Sequence, residues 1–243
     1  MENKTCLIYQ PLGLGDIIWV QPILDVIIAD GYTVYYPVSD VYYDIVSQYI
    51  IKNNLVWKKE SENFPLKDHY KDINIFQTNN QLYLPLSYAD RYFPECSVMI
   101  SKYYLLSIPI EDYRKHFEIF RNYEREKKLI DTYQLHSNYV LVNKSFGTES
   151  KIRNIQLDTD PSIKIHTMSI DQDKKNGFHI FDWIGALENA LEIHTVETSL
   201  CYLIDKYCNN KLHMYEKRTQ EESNTYYRNV ALVYRNSNWI YEN

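Results

Sequence analysis

Thr5-Cys6-Leu7-Ile8-Tyr9-Gln10-Pro11-Leu12-Gly13-Leu14-Gly15-Asp16-Ile17-Ile18-Trp19-Val20-Gln21-Pro22-Ile23-Leu24 decides the fold. It reads as a strand, a glycine turn and an apolar helix. Glycine lets the backbone take positive φ and lets another molecule come close, and a helix starting just after such a turn points unpaired N–H groups outward. Open α/β sheets bind their ligands at such turns. Asp16 is the unusual member, because a carboxylate there repels a phosphate. It is either a helix cap or a working base.

Working outward, Gly31 sits where a C′ glycine ends a helix, and Tyr32-Thr33-Val34-Tyr35-Tyr36 is β-branched and aromatic like a second strand. The unit is therefore βαβ, with a parallel pair and a right-handed crossover. Pro22 predicts a short first turn, a kink and a main helix over residues 22–30. Asp40 is expected to cap a helix, and Leu55-Val56-Trp57 to form a third strand. Residues 58–72 read as a charged loop, 73–76 as a strand, and the proline- and tyrosine-rich stretch 83–94 as an irregular loop. Helices are expected over 95–108 and, highly charged, over 111–129, the latter as a connector.

A second α/β series follows. Residues 138–143 read as a strand running into the polar turn 144–150, and 163–168 as the next strand. Residues 171–177 read as a charged loop, with Asp182 capping a helix after it. A short strand over 191–196 leads to Glu197-Thr198-Ser199, which opens an apolar helix, and 211–215 is the last clear strand. The expected architecture is α/β, two Rossmann-like lobes, 1–130 and 131–243, each with a polar turn after its first strand.

The 243 residues carry 26 basic and 32 acidic side chains, a net charge of −6. That excludes the broad positive field that nucleic acid or anionic membrane selects. Cys6, Cys96, Cys201 and Cys208 lack metal-binding spacing and read as reduced thiols, no signal peptide or spanning stretch is visible, and a soluble, cytoplasmic chain is expected. The 24 tyrosines fit compositional bias or a sugar site, where their faces stack on C–H groups and their hydroxyls hydrogen-bond.

The Leu-Gly-Leu-Gly-Asp turn with Pro22 after it resembles the N-terminal motif of the GT-B-fold glycosyltransferases related to the bacterial ADP-heptose:lipopolysaccharide heptosyltransferases, glycosyltransferase family 9. The segment from Trp183 to Leu203 is similar to their donor motif, a helix, a short strand and Asp-Ser/Thr-Gly-Leu-Met-His at a helix start. Here Glu197 stands for the Asp, Ser199 for the Gly, and the His is absent. The resemblance implies two lobes facing a cleft, Asp16 as catalytic base, Lys144 meeting the donor diphosphate, and Thr198 and Ser199 near its phosphates.

Transfer from a nucleotide sugar needs a base for the acceptor hydroxyl, groups that hold the departing diphosphate, and space for an oxocarbenium-like centre. Gly13 and Gly15 would make room beside Asp16, while Lys144, Ser145 and the helix after Thr198 would offset the leaving group's charge without a metal. No cofactor beyond the nucleotide-sugar co-substrate is implied, and the acceptor is a glycan or glycoconjugate hydroxyl. Asp158-Thr159-Asp160 has metal-pair spacing but sits in a loop, so no metal site is expected.

Each assignment has a plainer counterpart. Lys144 and Arg153 are phosphate contacts or solvated cations; Thr198 and Ser199 serve a helix start with or without a ligand. Glu197 takes a donor ribose or favours the helix start, and His194 is a ligand contact or a satisfied, partly buried side chain, the other histidines showing no pairing. Tyr88 and Arg91 are candidate acceptor contacts. The leading function is a metal-independent, inverting glycosyltransferase. A sugar-nucleotide epimerase or phosphorylase and a non-catalytic nucleotide-sugar-binding module share the scaffold, whereas an oxidoreductase lacks the third glycine of its fingerprint.

Overall fold

The computed structural model describes residues 4–96, 98–110, 113–145, 152–157, 160–215, 234 and 237–242. The chain divides into two compact units, Met1–Phe120 and Arg121–Asn243.

In the first unit, β1 (Lys4–Ile8), β2 (Tyr32–Val38), β3 (Leu55–Lys59), β4 (Phe76–Gln77) and β5 (Gln81–Leu84) form one sheet in the order β3-β2-β1-β5-β4. β1 runs parallel to both neighbours, Cys6 lying opposite Val34 on β2 and Leu82 on β5. Cys6, Leu7 and Ile8 are all fully buried, so both faces of β1 are covered and its sequence is a continuous apolar run rather than an alternating one. The crossover is made by α1 (Leu14–Trp19) and α2 (Gln21–Ala29), which break at Val20. Pro22 sits in the first turn of α2, where its missing N–H has no intrahelical partner to lose, and Gly31 takes φ 87° beyond the helix end. α3 (Asp40–Tyr49) has Ser39, not Asp40, at its N-cap.

Two expectations are corrected here. Residues 83–94 are not one irregular loop: Tyr83 and Leu84 end β5, fully buried beside β1, and a 3-10 turn, Leu86–Arg91, follows. The long charged helix is also absent. A 3-10 turn at Tyr113–Lys115 gives way to irregular chain until Asn122, whose side chain accepts from Arg125 N at 3.1 Å and caps α5 (Tyr123–Tyr133), after α4 (Val98–Tyr104) earlier in the chain.

In the second unit β6 (Tyr139–Asn143), β7 (Lys164–Thr167), β8 (Glu192–Val196), β9 (Lys211–Tyr215) and β10 (Trp239–Glu242) take the order β10-β9-β8-β6-β7, with every pairing parallel. α5 packs here, against α7 (Ile184–Asn189). The expected loop at 171–177 is α6 (Ile170–Asn176), capped by Ser169 and closed by Gly177 at φ 73°. Asp182 lies inside a 3-10 turn, Ile180–Trp183, accepts from His179 N at 2.7 Å and is clamped by both Arg125 Nε and Nη2. α8 (Leu200–Tyr207) connects β8 to β9, and β10 adds an edge strand the sequence did not announce. Among the described residues no helix is long and apolar enough to cross a membrane.

Each sheet reverses its direction of growth at its first strand, β1 between β2 and β5, and β6 between β7 and β8. Crevices open beyond the carboxyl ends of strands at such points. The glycine turn lies at one; Asn143 and Glu197 lie at the other.

Candidate functional site

The segment after β1 is held from both sides: Tyr9 O accepts from Ser87 N at 3.0 Å, and Pro11 O accepts from Ser39 N at 2.9 Å. Gly13 then takes φ 82° and begins α1. A side chain there would be strained, and its Cβ would overlap the Asp16 carboxylate, whose Oδ2 lies against Gly13. Among the described residues the Asp16 carboxylate takes a hydrogen bond from Lys102 and none from a backbone N–H of its helix. Its Oδ1 is paired with Lys102 of α4, whose side chain is fully buried while that of Asp16 is 30% exposed. α4 is pinned in place by Trp19, whose Nε1 donates to Met99 O at 2.8 Å and whose carbonyl accepts from Tyr103 OH at 2.7 Å. Burial lowers the Lys102 pKa, against the opposing pull of Asp16 and Asp90.

Beside this pair, the Tyr36 hydroxyl is buried without a hydrogen-bond partner among the described residues, and burial followed by the charge of Asp16 raises its pKa well above the ordinary tyrosine value. Tyr9 stands at the same strand ends, 4.9 Å from the Tyr70 ring and 5.4 Å from that of Tyr88. Arg91 lies over Tyr88 at 4.9 Å. The structure thus joins Tyr88 and Arg91 to each other and to Tyr9, with Gly13, Gly15 and Asp16 in the turn following it. Lys102 went unnoticed in the sequence. Its signal was a single charge in the otherwise uncharged helix Val98–Tyr104.

In the second unit, Asn143 ends β6 and ties the crevice together. Its Nδ2 donates to Thr195 Oγ1 at 3.1 Å and to Thr198 Oγ1 at 3.4 Å, and its Oδ1 accepts from Ser145 N at 3.3 Å. Thr198 Oγ1 also accepts from Leu200 N at 3.3 Å, so Thr198 rather than Ser199 caps α8 by its side chain. Ser199 N donates to nothing among the described residues. Lys144 and Arg153 are brought side by side by a short antiparallel bridge, Arg153 N donating to Lys144 O at 3.0 Å and Ser145 pairing with Ile152. Neither side chain forms an ion pair among the described residues. Glu197 stands at the end of β8, next to Thr198. Asn143 was missed because a lone Asn after an apolar strand carries no motif.

Phe146–Ser150 of the polar turn, and Asp158 and Thr159 of the metal-pair spacing, lie outside the described residues. Asp160 accepts from Ser162 N at 2.8 Å and Ser162 Oγ at 2.7 Å, as in an Asx turn. His194 does not join Thr198. It alternates with Thr195 along β8, so the two face opposite sides of the sheet, and His194 stacks on His213 with ring centroids 4.2 Å apart. Burial and then the neighbouring His213 lower its pKa, against Glu192. His194 and His213, which show no pairing in sequence, are therefore paired in space, by the β8–β9 register.

No family model and no curated protein matches this chain. It is similar in fold to the glycosyl transferase family 9 from Veillonella parvula DSM 2008, at 8% identity and a TM-score of 0.54, over 100% of this chain and 87% of that one. It also aligns with E. coli heptosyltransferase WaaC with ADP, at 12% identity and a TM-score of 0.45 over 89% of this chain and 88% of that one. For E. coli ADP-heptose LPS heptosyltransferase II the values are 6% and 0.47, over 98% and 90%. At 8% identity the likeness to the Veillonella parvula structure is one of fold, and the expected Rossmann-like α/β units of GT-B type agree with it.

Proposed function

We propose that this protein is a metal-independent, inverting glycosyltransferase that moves a sugar from a nucleotide-sugar donor to a carbohydrate or glycoconjugate hydroxyl. The observation that carries the reading is Asp16. Its carboxylate is fixed through Oδ1 by a buried lysine, sets Oδ2 against Gly13, and takes no backbone N–H bond among the described residues, at the switch point of its sheet. A helix-capping aspartate needs none of that.

In this reading Oδ2 takes the acceptor hydroxyl's proton as that oxygen bonds to the anomeric carbon from the face opposite the leaving group. The bond from that carbon to the nucleoside diphosphate breaks, and the charge released on the diphosphate is met by Lys144, Arg153 and the Ser199 N–H at the start of α8. Glu197 takes a donor ribose hydroxyl, and Ser145, beside Asn143, lines the same crevice. Tyr88 with Arg91 lends a stacking face and a cation to the acceptor.

Asp16→Asn and the unaltered protein, each incubated with a panel of nucleotide sugars and acceptors, test this. Transfer by the unaltered protein and its loss in Asp16→Asn, with the rise in Tm caused by nucleoside diphosphate retained, is the expected outcome. Transfer that survives Asp16→Asn removes the base. A nucleotide-induced shift with no transfer to any acceptor points to a binding module instead.

A further inference from the structure

We infer that Glu192, His194 and His213 form a binding site for one divalent transition-metal ion of the zinc class. The inference goes beyond the transferase reading and does not rest on it. Glu192 and His194 are two residues apart on β8 and so share one face of the sheet. The β8–β9 register puts His213 directly opposite His194. One ligand atom from each of the three residues falls within 4.8 Å of the others.

The surrounding hydrogen bonds engage the far nitrogen of each imidazole. His194 Nδ1 is engaged by Tyr215 OH at 2.9 Å and His213 Nδ1 by Glu242 Oε1 at 2.7 Å, which leaves each Nε2 for the centre of the cluster. Lys211 Nζ holds Glu192 Oε1 at 3.1 Å, and Glu192 Oε2 lies 3.3 Å from His194 Nε2 and 3.8 Å from His213 Nε2. Outer partners on the far nitrogen of each imidazole, a carboxylate among them, are how metal-ligating histidines are oriented. His213 supplies an independent sign. The residue is 8% exposed, and its Nε2 is buried without any hydrogen-bond partner. A metal ion ligated by that nitrogen satisfies it; nothing else among the described residues does.

Two neutral imidazoles and one carboxylate suit zinc, iron(II) or cobalt(II), and are too nitrogen-rich for magnesium or calcium. Three protein ligands leave a fourth position for water. The rings now lie nearly parallel, 6° apart, so coordination by both requires them to splay about their Nδ1 hydrogen bonds. Thr195 and Thr198, in the crevice proposed for the diphosphate, belong to the other side of the sheet, so a metal here fixes β8, β9 and β10 to one another and takes no part in sugar transfer.

The test is cobalt(II) titration of chelator-treated protein. One equivalent should produce visible d–d bands without thiolate charge-transfer absorption, zinc should displace the cobalt and raise Tm, and magnesium should do neither. Affinity for zinc should fall by about 100-fold or more in His194→Ala and in His213→Gln, and by about 10- to 100-fold in Glu242→Gln, which alters only an outer partner. Far-UV circular dichroism of each metal-free variant establishes that it folds. Absence of the bands in the unaltered protein overturns the inference without recourse to a variant, as does cobalt ligation that persists unchanged in both histidine variants.

Discussion

Lys102 is a fully buried cation in the first unit. Its ammonium is wholly buried, and its ion-pair partner among the described residues is a carboxylate that still reaches solvent. Removing one partner of such a pair costs more than the pair contributes, because the charge left behind is desolvated. Asp16→Asn strands Lys102 in this way. Its pKa, already lowered by burial, loses the opposing pull of Asp16 and falls further. Between that folded value and the ordinary lysine value near 10.4 the unfolded chain binds the extra proton, so stability rises with pH across the window. Asp16→Asn should therefore gain stability with rising pH, between two pH values both below the ordinary lysine value, more steeply than the unaltered protein, by at most about 1.4 kcal/mol per pH unit. Urea midpoints at the two pH values measure it, and equal slopes would show that Lys102 finds another anion. Gly13→Ala addresses the same corner from the backbone. With φ at 82° and the Asp16 carboxylate in the way, it should cost about 1–2 kcal/mol and displace Oδ2; transfer activity falling well beyond the change in stability is the expected sign, and full activity would free Gly13 from any role beside the base.

Among the elements, α5 shows how a mostly polar helix can belong to a core. Arg121 grips Glu126 through Nε at 2.9 Å and Nη2 at 2.6 Å, and reaches Glu188 of α7 through Nη1 and Nη2, both at 2.8 Å. Glu126 is 3% exposed and fits only because α7 presents Gly185, where an added Cβ would stand 2.7 Å from Glu126 Oε2. On an exposed helix Gly→Ala gains about 1 kcal/mol. Gly185→Ala should instead lose about 1–3 kcal/mol through overpacking against a carboxylate that Arg121 cannot release, read from denaturant unfolding; a net gain would show that the two helices separate freely. The sequence carried no sign of this contact, since charge along α5 reads as solvated whatever lies opposite. It did carry the break at Pro22, the strand ends around Gly31 and the opening of α8, because proline, glycine and threonine act locally. β5 and β10 were illegible for the converse reason: each is only four residues long, and each is made a strand by its neighbour. The same limit hid half of the candidate chemistry. Asp16 stood out directly after Gly13 and Gly15, whereas Lys102 and His213 acquire their partners across 86 residues and across a strand register.

At the scale of the whole chain, both sheets place a reversal at their first strand, yet the two crevices differ in charge. One holds a carboxylate and its lysine. The other has Lys144 and Arg153 on a bridge after β6, with Glu197 and a Ser199 N–H that donates to nothing among the described residues at the end of β8. A nucleoside diphosphate should therefore select the second unit, and binding a folded unit protects it by mass action, by about 2.7 kcal/mol when ligand is 100-fold above its Kd. Hydrogen exchange with ADP as probe should slow amides of residues 139–145 and 192–203, while those of residues 4–24 around Asp16 keep their rates. Lys144→Ala should weaken that protection, and Tyr88→Ala should leave it unchanged. Slowing centred on residues 4–24 instead would put the diphosphate beside Asp16. A carboxylate facing a polyanion cannot serve as the base of the transfer, so that single pattern would reverse the roles assigned to the two units.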